Sequence, residues 1–297
     1  MSKAETGRLC VGVDLHKTQF TICALNEDGE YLLEKQYPTK EEGYSEFARE
    51  MHRFEEQGCS IELAVETTGN ARFFKNRMES EFFAVKVVNT NRFKVITMST
   101  KKTDANDAAT LAYYLMKDML PEAHLCSQTS EEIRRLLKTR SVLVQSMVKI
   151  KNQIHGMMLG YGIETKAAQL QSKRKRQELI NDLEDHNFSA YTAPSLKVML
   201  KILDDLSAEI KGIEKLLEEM VASNEDVALL MTVPGIGINT ATVIAAYTAE
   251  LERFEGNYKK FASYVGIIPR VHNSNETTHY GRITKHGPQE LRTAFVQ

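Results

Sequence analysis

The sequence predicts an α/β N-terminal domain, a long helical stalk or coiled coil, and a mainly α C-terminal domain with a helix-hairpin-helix-like motif. Three observations predict this. Apolar, β-branched runs alternate with helix-period segments over residues 8–120. Two long amphipathic stretches occupy residues 128–222. A Pro234-Gly235-Ile236-Gly237 turn separates two helix-like segments near the end of the chain.

The first domain opens with three strand-like runs, Leu9–Asp14, Phe20–Leu25 and Tyr31–Tyr37. Asn26-Glu27-Asp28-Gly29 supplies turn chemistry between the last two. Tyr44–Phe54 reads as a helix, Ile61–Glu66 as a strand, Ala71–Glu81 as a helix, Phe83–Val88 as a strand and Asp104–Lys117 as a helix. A meander that feeds alternating strands and helices gives a mixed sheet flanked by helices.

In the stalk, Ile133, Leu137, Val144, Met147, Ile150 and Ile154 recur at helical spacing across Ser130–Met158. Lys166–Leu183 is helical and charged, and its Lys173–Arg176 run reads as a solvated helix face. Ser195–Val221 carries a second apolar stripe, a packing seam rather than a cofactor site. In the third unit, Gly235 and Gly237 allow backbone N–H groups to approach a phosphate at the start of the second helix. The expected divisions are residues 8–125, 126–224 and 225–297. The chain stops at Gln297 inside a helix-like segment, which reads as a truncated C-terminal domain.

Bulk composition excludes some classes. The 297 residues are 42% hydrophobic and 26% charged, with a net charge of −2, so overall charge gives no nucleic-acid signal. The charge is local instead: residues 257–297 hold six Lys or Arg against two Glu, which suits one phosphate-facing surface. The four cysteines have no zinc spacing, and no apolar segment is long enough for a membrane span. A reduced, cytoplasmic protein is expected.

Four carboxylates carry the chemistry. Asp14 and Glu66 each end an apolar strand-like run, and Asp104 and Asp107 form an i,i+3 pair at the start of a helix. Side chains so placed can converge on one point and bind an oxygen-seeking cation, Mg²⁺ or Mn²⁺. Two such ions can clamp both oxygens of a phosphodiester displacement. Taken singly, each acid has a plainer role, Asp104 as a helix N-cap among them. Lys101 and Lys102 precede the pair and suit a grip on the cut strand. Arg270, Arg282 and Lys285 suit phosphate contacts. His16 and Lys17 read equally well as surface residues.

These residues carry a family likeness. Val11–Lys17, Ala64–Gly69 and Lys102–Ala108 resemble the three acidic blocks of a RuvC-like, RNase H-type DEDD nuclease domain. Val233–Gly237 and Tyr264–Arg270 resemble the second domain of DEDD insertion-sequence transposases related to the Piv DNA invertase. The likeness spans nearly the whole chain, and five motifs in order are more specific than any one. The resemblance implies a recombinase whose serine attacks the DNA phosphate, and by motif that serine is Ser274. Relatives commonly have glycine after it, where this chain has Asn275. The resemblance also implies DNA ends and target as partners, a structured guide RNA, and a homo-oligomer, dimer or tetramer, with carboxylates and serine brought together from different domains. Two alternatives use the same residues: a metal-dependent, structure-selective nuclease that cuts with water, and an inactive nucleic-acid-binding remnant.

Overall fold

The computed structural model describes residues 7–90, 92–93, 103–182, 188–274 and 277–296, and the chain divides into two compact units, 1–125 and 126–297. In the first, β1 (Arg8–Leu15), β2 (Gln19–Leu25) and β3 (Tyr31–Pro38) form an antiparallel meander. The turn after β2 is held by Asn26, whose Oδ1 accepts from the N–H groups of Asp28 and Glu30 at 3.1 and 2.8 Å. Gly29 takes φ +83° there, a conformation that favours glycine. β4 (Ser60–Glu66) then adds parallel to β1, and β5 (Ala84–Val88) parallel to β4, so the sheet order is β3-β2-β1-β4-β5.

The two-residue period of a strand sorts this sheet into two faces. Odd residues of β1 (Leu9, Val11, Val13, Leu15) pack with Phe47 and Met51 of α1 (Glu41–Glu56) and with Phe74 and Met78 of α2 (Ala71–Glu79). Phe20 stacks on Tyr37 and Tyr44 at centroid distances of 5.2 and 5.3 Å, pairs that each contribute about 0.5–1.5 kcal/mol beyond area burial. The other face carries Cys10, Cys23 and Ala64 against Ala108, Leu111, Ala112 and Leu115 of α3 (Asp104–Met116). Gly12 makes this contact possible. A Cβ there would lie 2.0 Å from the Ala108 carbonyl oxygen and 2.5 Å from the Ala112 nitrogen.

The second unit is built on an antiparallel pair of long helices, α4 (Gln128–Leu159) and α6 (Thr192–Val221). Ile133 and Leu137 meet Leu217 and Val221 at one end, and Ile154 and Met158 meet Leu196, Leu200 and Leu203 at the other. Between them runs α5 (Lys173–Asp182). α7 (Glu225–Met231) and α8 (Ile238–Thr248) flank the Pro-Gly-Ile-Gly turn, and Val227, Ala241 and Ala245 join the first of these clusters. α9 (Tyr258–Val265), a two-stranded ribbon of β6 (Pro269–Ser274) and β7 (Thr277–Ile283), and α10 (Gln289–Val296) complete the described chain. Among the described residues, no helix is long and apolar enough to cross a membrane.

The broad expectation holds: a mixed α/β N-terminal sheet with helices, then a helical C-terminal region. Three details differ. The expected helix 166–183 is two pieces, a 3₁₀ turn at Ala167–Leu170 and α5. Ser172 separates them, its Oγ accepting from the Lys175 N–H as an N-cap does. Arg176 is buried rather than solvated: it donates to Asp204 Oδ1 at 2.7 Å and to the Leu170 carbonyl at 3.0 Å. The β6–β7 ribbon was not expected. Its Val271, Thr277, Thr278, Tyr280 and Ile283 favour extended backbone, but the surrounding Gly, Pro, Asn and basic residues mask the pattern.

Candidate metal centre and nucleic-acid interface

The sheet's register places the first two carboxylates. β1 and β4 run parallel with Gly12 opposite Ala64 and Val13 opposite Val65, so Asp14 and Glu66 follow at the same level. Both are even-numbered, on the face covered by α3. That helix runs antiparallel to β1: Arg8 at the strand's start donates to the Leu115 carbonyl at the helix's end, and Gly12 lies under Ala108. The first turn of α3, with Asp104 and Asp107, is therefore delivered to the end of the sheet where Asp14 and Glu66 emerge. Thr103 is the helix's N-cap, its side chain accepting from the Asn106 N–H at 3.2 Å. Asp104 is thus not needed as the cap. Both aspartates sit in the helix's positive first turn, a favourable place for negative charge.

Asp14 and Glu66 both feel neighbouring acids. Burial pushes the Asp14 carboxyl above its ordinary range; His16 opposes the rise, and the charges of Asp104 and Asp107 add to it. Burial likewise raises Glu66, with Asp14 and Asp107 adding repulsion. Among the described residues, the main influences on Glu66 include no lysine or arginine. Burying a carboxylate is costly, and oxygen donors of this kind fit a hard divalent cation.

One residue that the sequence left ambiguous belongs here. His16 Nε2 lies 3.0 Å from Asp14 Oδ2 and 3.4 Å from Asp104 Oδ1. Ligand atoms of Asp14, His16 and Asp104 all fall within 4.8 Å of one another, a spacing suited to one ion. The backbone of His16 is fixed as well: Thr39 Oγ1 and Asn70 Nδ2 both donate to its carbonyl at 3.1 Å. The available signal was the i,i+2 spacing from Asp14, which puts both side chains on one side of an extended segment.

The other expected site residues fall elsewhere. Lys101 and Lys102 lie outside the described residues. Gly235 has φ +92°, and Gly237 is the N-cap of α8; a Cβ at either would meet nothing within 4 Å, so the backbone of this turn is open to a ligand. Arg270 on β6 and Arg282 on β7 are exposed, as is Lys285, which takes φ +57° just after the ribbon. Ser274 is the last residue of β6 and pairs with Thr277. Its backbone, but not its side chain, is described. Ser274 and the carboxylates belong to different compact units.

Comparison with known proteins agrees with the motifs. Residues 11–163 match the family model of IS110-type DEDD transposases, and residues 227–297 match the model described as the transposase IS116/IS110/IS902 family. The chain is 25% identical to the transposase of insertion sequence IS1328 from Yersinia enterocolitica, over 97% of this chain and 81% of that one. It is 23% identical to the IS1111A transposase of Coxiella burnetii, over 96% and 75%. It is 24% identical to the pilin gene-inverting protein of Moraxella bovis, over 96% and 80%.

Proposed function

The chain belongs to the IS110 family of DNA transposases, and from that premise we propose that it cuts and rejoins DNA through a carboxylate-bound divalent cation and a serine nucleophile. The observation that supports this reading is the close spacing of Asp14, His16 and Asp104, with Glu66 at the end of the neighbouring strand and Asp107 in the same first helical turn as Asp104. The sheet order supports an RNase H-like, RuvC-like domain, with a helical stalk at 126–224 and a transposase domain at 225–297.

Asp14, Glu66, Asp104 and Asp107 hold the cation, Mg²⁺ in the cell, and His16 keeps Asp14 and Asp104 in place. When bound, the cation supplies positive charge to the scissile phosphate and the departing oxygen. Ser274 Oγ attacks phosphorus, the bond to the 3′-oxygen breaks, and the serine's proton ends on that oxygen. The product is a 5′-phosphoserine that conserves the bond for a later 3′-hydroxyl. The site at the end of a narrow ribbon supports this role for Ser274, since a ribbon tip can reach a bound strand. Arg270, Arg282 and Lys285 hold backbone phosphates, as do the open turn at Gly235–Gly237 and Lys101–Lys102. A structured RNA that pairs with the DNA sets sequence choice, and the protein works as a homo-oligomer. Exposed apolar residues on the paired helices, Val142, Val148, Val198 and Ile202 among them, support self-association.

The test is a covalent-adduct assay with Mg²⁺, DNA carrying the element's ends and RNA from its flanks. DNA should remain attached to denatured protein, and Ser274→Ala should abolish the adduct. Mg²⁺-dependent cutting without an adduct would replace the serine with water and make the protein a hydrolytic nuclease.

A further inference from the structure

A cleft of about 770 Å³ opens beside the carboxylate centre, entirely within the first unit. Its volume falls inside the roughly 300–1,000 Å³ of ordinary ligand sites. His16 is shared: its ring contacts Asp14 and Asp104, and it also lines the cleft. Whatever occupies the cleft is thus next to whatever sits on the carboxylates.

The lining has the chemistry of a nucleotide site. Phe73 is 56% exposed, and its ring is backed by Tyr44 at 5.6 Å between centroids. Lys17 and Lys40 are exposed at the rim and form no ion pair among the described residues. The one acid in the lining, Glu41, is 2.8 Å from the Arg77 guanidinium, which offsets its charge. Gly69 contributes no side chain, and a Cβ there would meet nothing within 4 Å. An exposed aromatic ring sharing a cleft with exposed lysines has the chemistry that holds single strands: bases stack on the ring while phosphates meet the lysines.

We propose that this cleft receives an unstacked nucleotide of the DNA strand being cut, its base on Phe73 and its phosphates near Lys17 and Lys40. The inference rests on the reading of the carboxylates as the cutting centre, because that centre makes the cut DNA strand the neighbouring occupant. A base lifted out of the duplex beside the cut fixes the strand's position relative to the scissile phosphate.

The experiment uses the full chain and a short single-stranded deoxyuridine oligonucleotide carrying one 5-iodouracil. Ultraviolet crosslinking followed by peptide mapping should place the adduct on Phe73. Phe73→Ala should weaken binding about tenfold, Phe73→Tyr should restore it, and Gly69→Leu, which fills open space, should block it. Crosslinks mapping elsewhere, with Phe73→Ala binding unchanged, would overturn the proposal. Tighter binding of the matching oligoribonucleotide at Phe73 would also overturn it, assigning the cleft to RNA. Asp14-dependent cutting is scored separately: cutting without a Phe73 crosslink defeats the cleft alone, and a Phe73 crosslink without cutting defeats the carboxylate reading alone.

Discussion

Glu62 and Glu66 stand four residues apart on one strand and one face of one sheet, yet their surroundings drive them in opposite directions. At the Glu62 end, Arg8 Nε lies 2.7 Å from Glu62 Oε1 and Arg8 Nη2 lies 2.7 Å from Asp118 Oδ1; Lys86 Nζ lies 3.1 Å from Glu62 Oε2. The Arg8 hydrogen bond holds the Glu62 carboxyl below its ordinary range. At the Glu66 end, burial and two more acids push the carboxyl up. The same α3 covers both ends. The lesson is that acidic residues alone do not mark a site: burial and neighbouring acids raise one carboxyl, while ion pairs hold the other down. One end is an ion-pair network, and the other gathers half-buried acids that raise one another's carboxyl values.

The comparison is broken most severely by removing a charge at the open end. Asp14→Asn or Glu66→Gln should slow DNA cutting about 10²–10⁴-fold, since several kcal/mol of charge stabilisation at the phosphate are lost with the cation. Glu62→Gln should leave the cutting rate of the folded protein within a few-fold of the parent.

Next comes the helix that joins the two ends. In Gly12→Ala the new methyl meets α3 backbone, which cannot rotate away. A loss at the upper end of the ~1–3 kcal/mol typical of overpacking is expected from denaturant midpoints, with cutting reduced as Asp104 and Asp107 move.

Stability sharpens the contrast further. Glu62→Gln should cost ~1–2 kcal/mol, because it weakens charge-assisted hydrogen bonds at a part-buried site. The depressed Glu62 value fixes the pH window. Its contribution is full above the unfolded value near 4.5 and is lost as pH falls through the lower folded value, so the variant's acid-side decline should be shallower. Glu66→Gln should do the reverse in chelator: thermal unfolding should show a gain of ~0.5–1 kcal/mol from relieved repulsion. A loss of stability there would mean that Glu66 is already balanced within the protein.

Much of this was legible in the sequence because it depends on short periods. Apolar, β-branched runs located every strand of the first sheet within a residue or two, and strand-end acids plus an i,i+3 pair marked the candidate carboxylates. His16 was not separable from the surface, because its role depends on α3 arriving antiparallel to β1 with Asp104 at its tip. Gly12 carried no visible signal for the same reason: its necessity is a contact with a helix nearly a hundred residues away. Arg176 was hidden in a run of like charges, and only the pairing of α5 with α6 brings Asp204 to it. The β6–β7 ribbon was hidden by its turn-forming and basic composition, so Ser274 was found through resemblance and not through local structure.

The most direct test of the central claim, that the Asp14–Glu66 end of the sheet is a cation site, is calorimetric titration of the purified protein with Mn²⁺. The wild type and Glu62→Gln should bind alike, and Asp14→Asn and Glu66→Gln should lose binding. Equal Mn²⁺ affinity in Glu66→Gln and the wild type would contradict it.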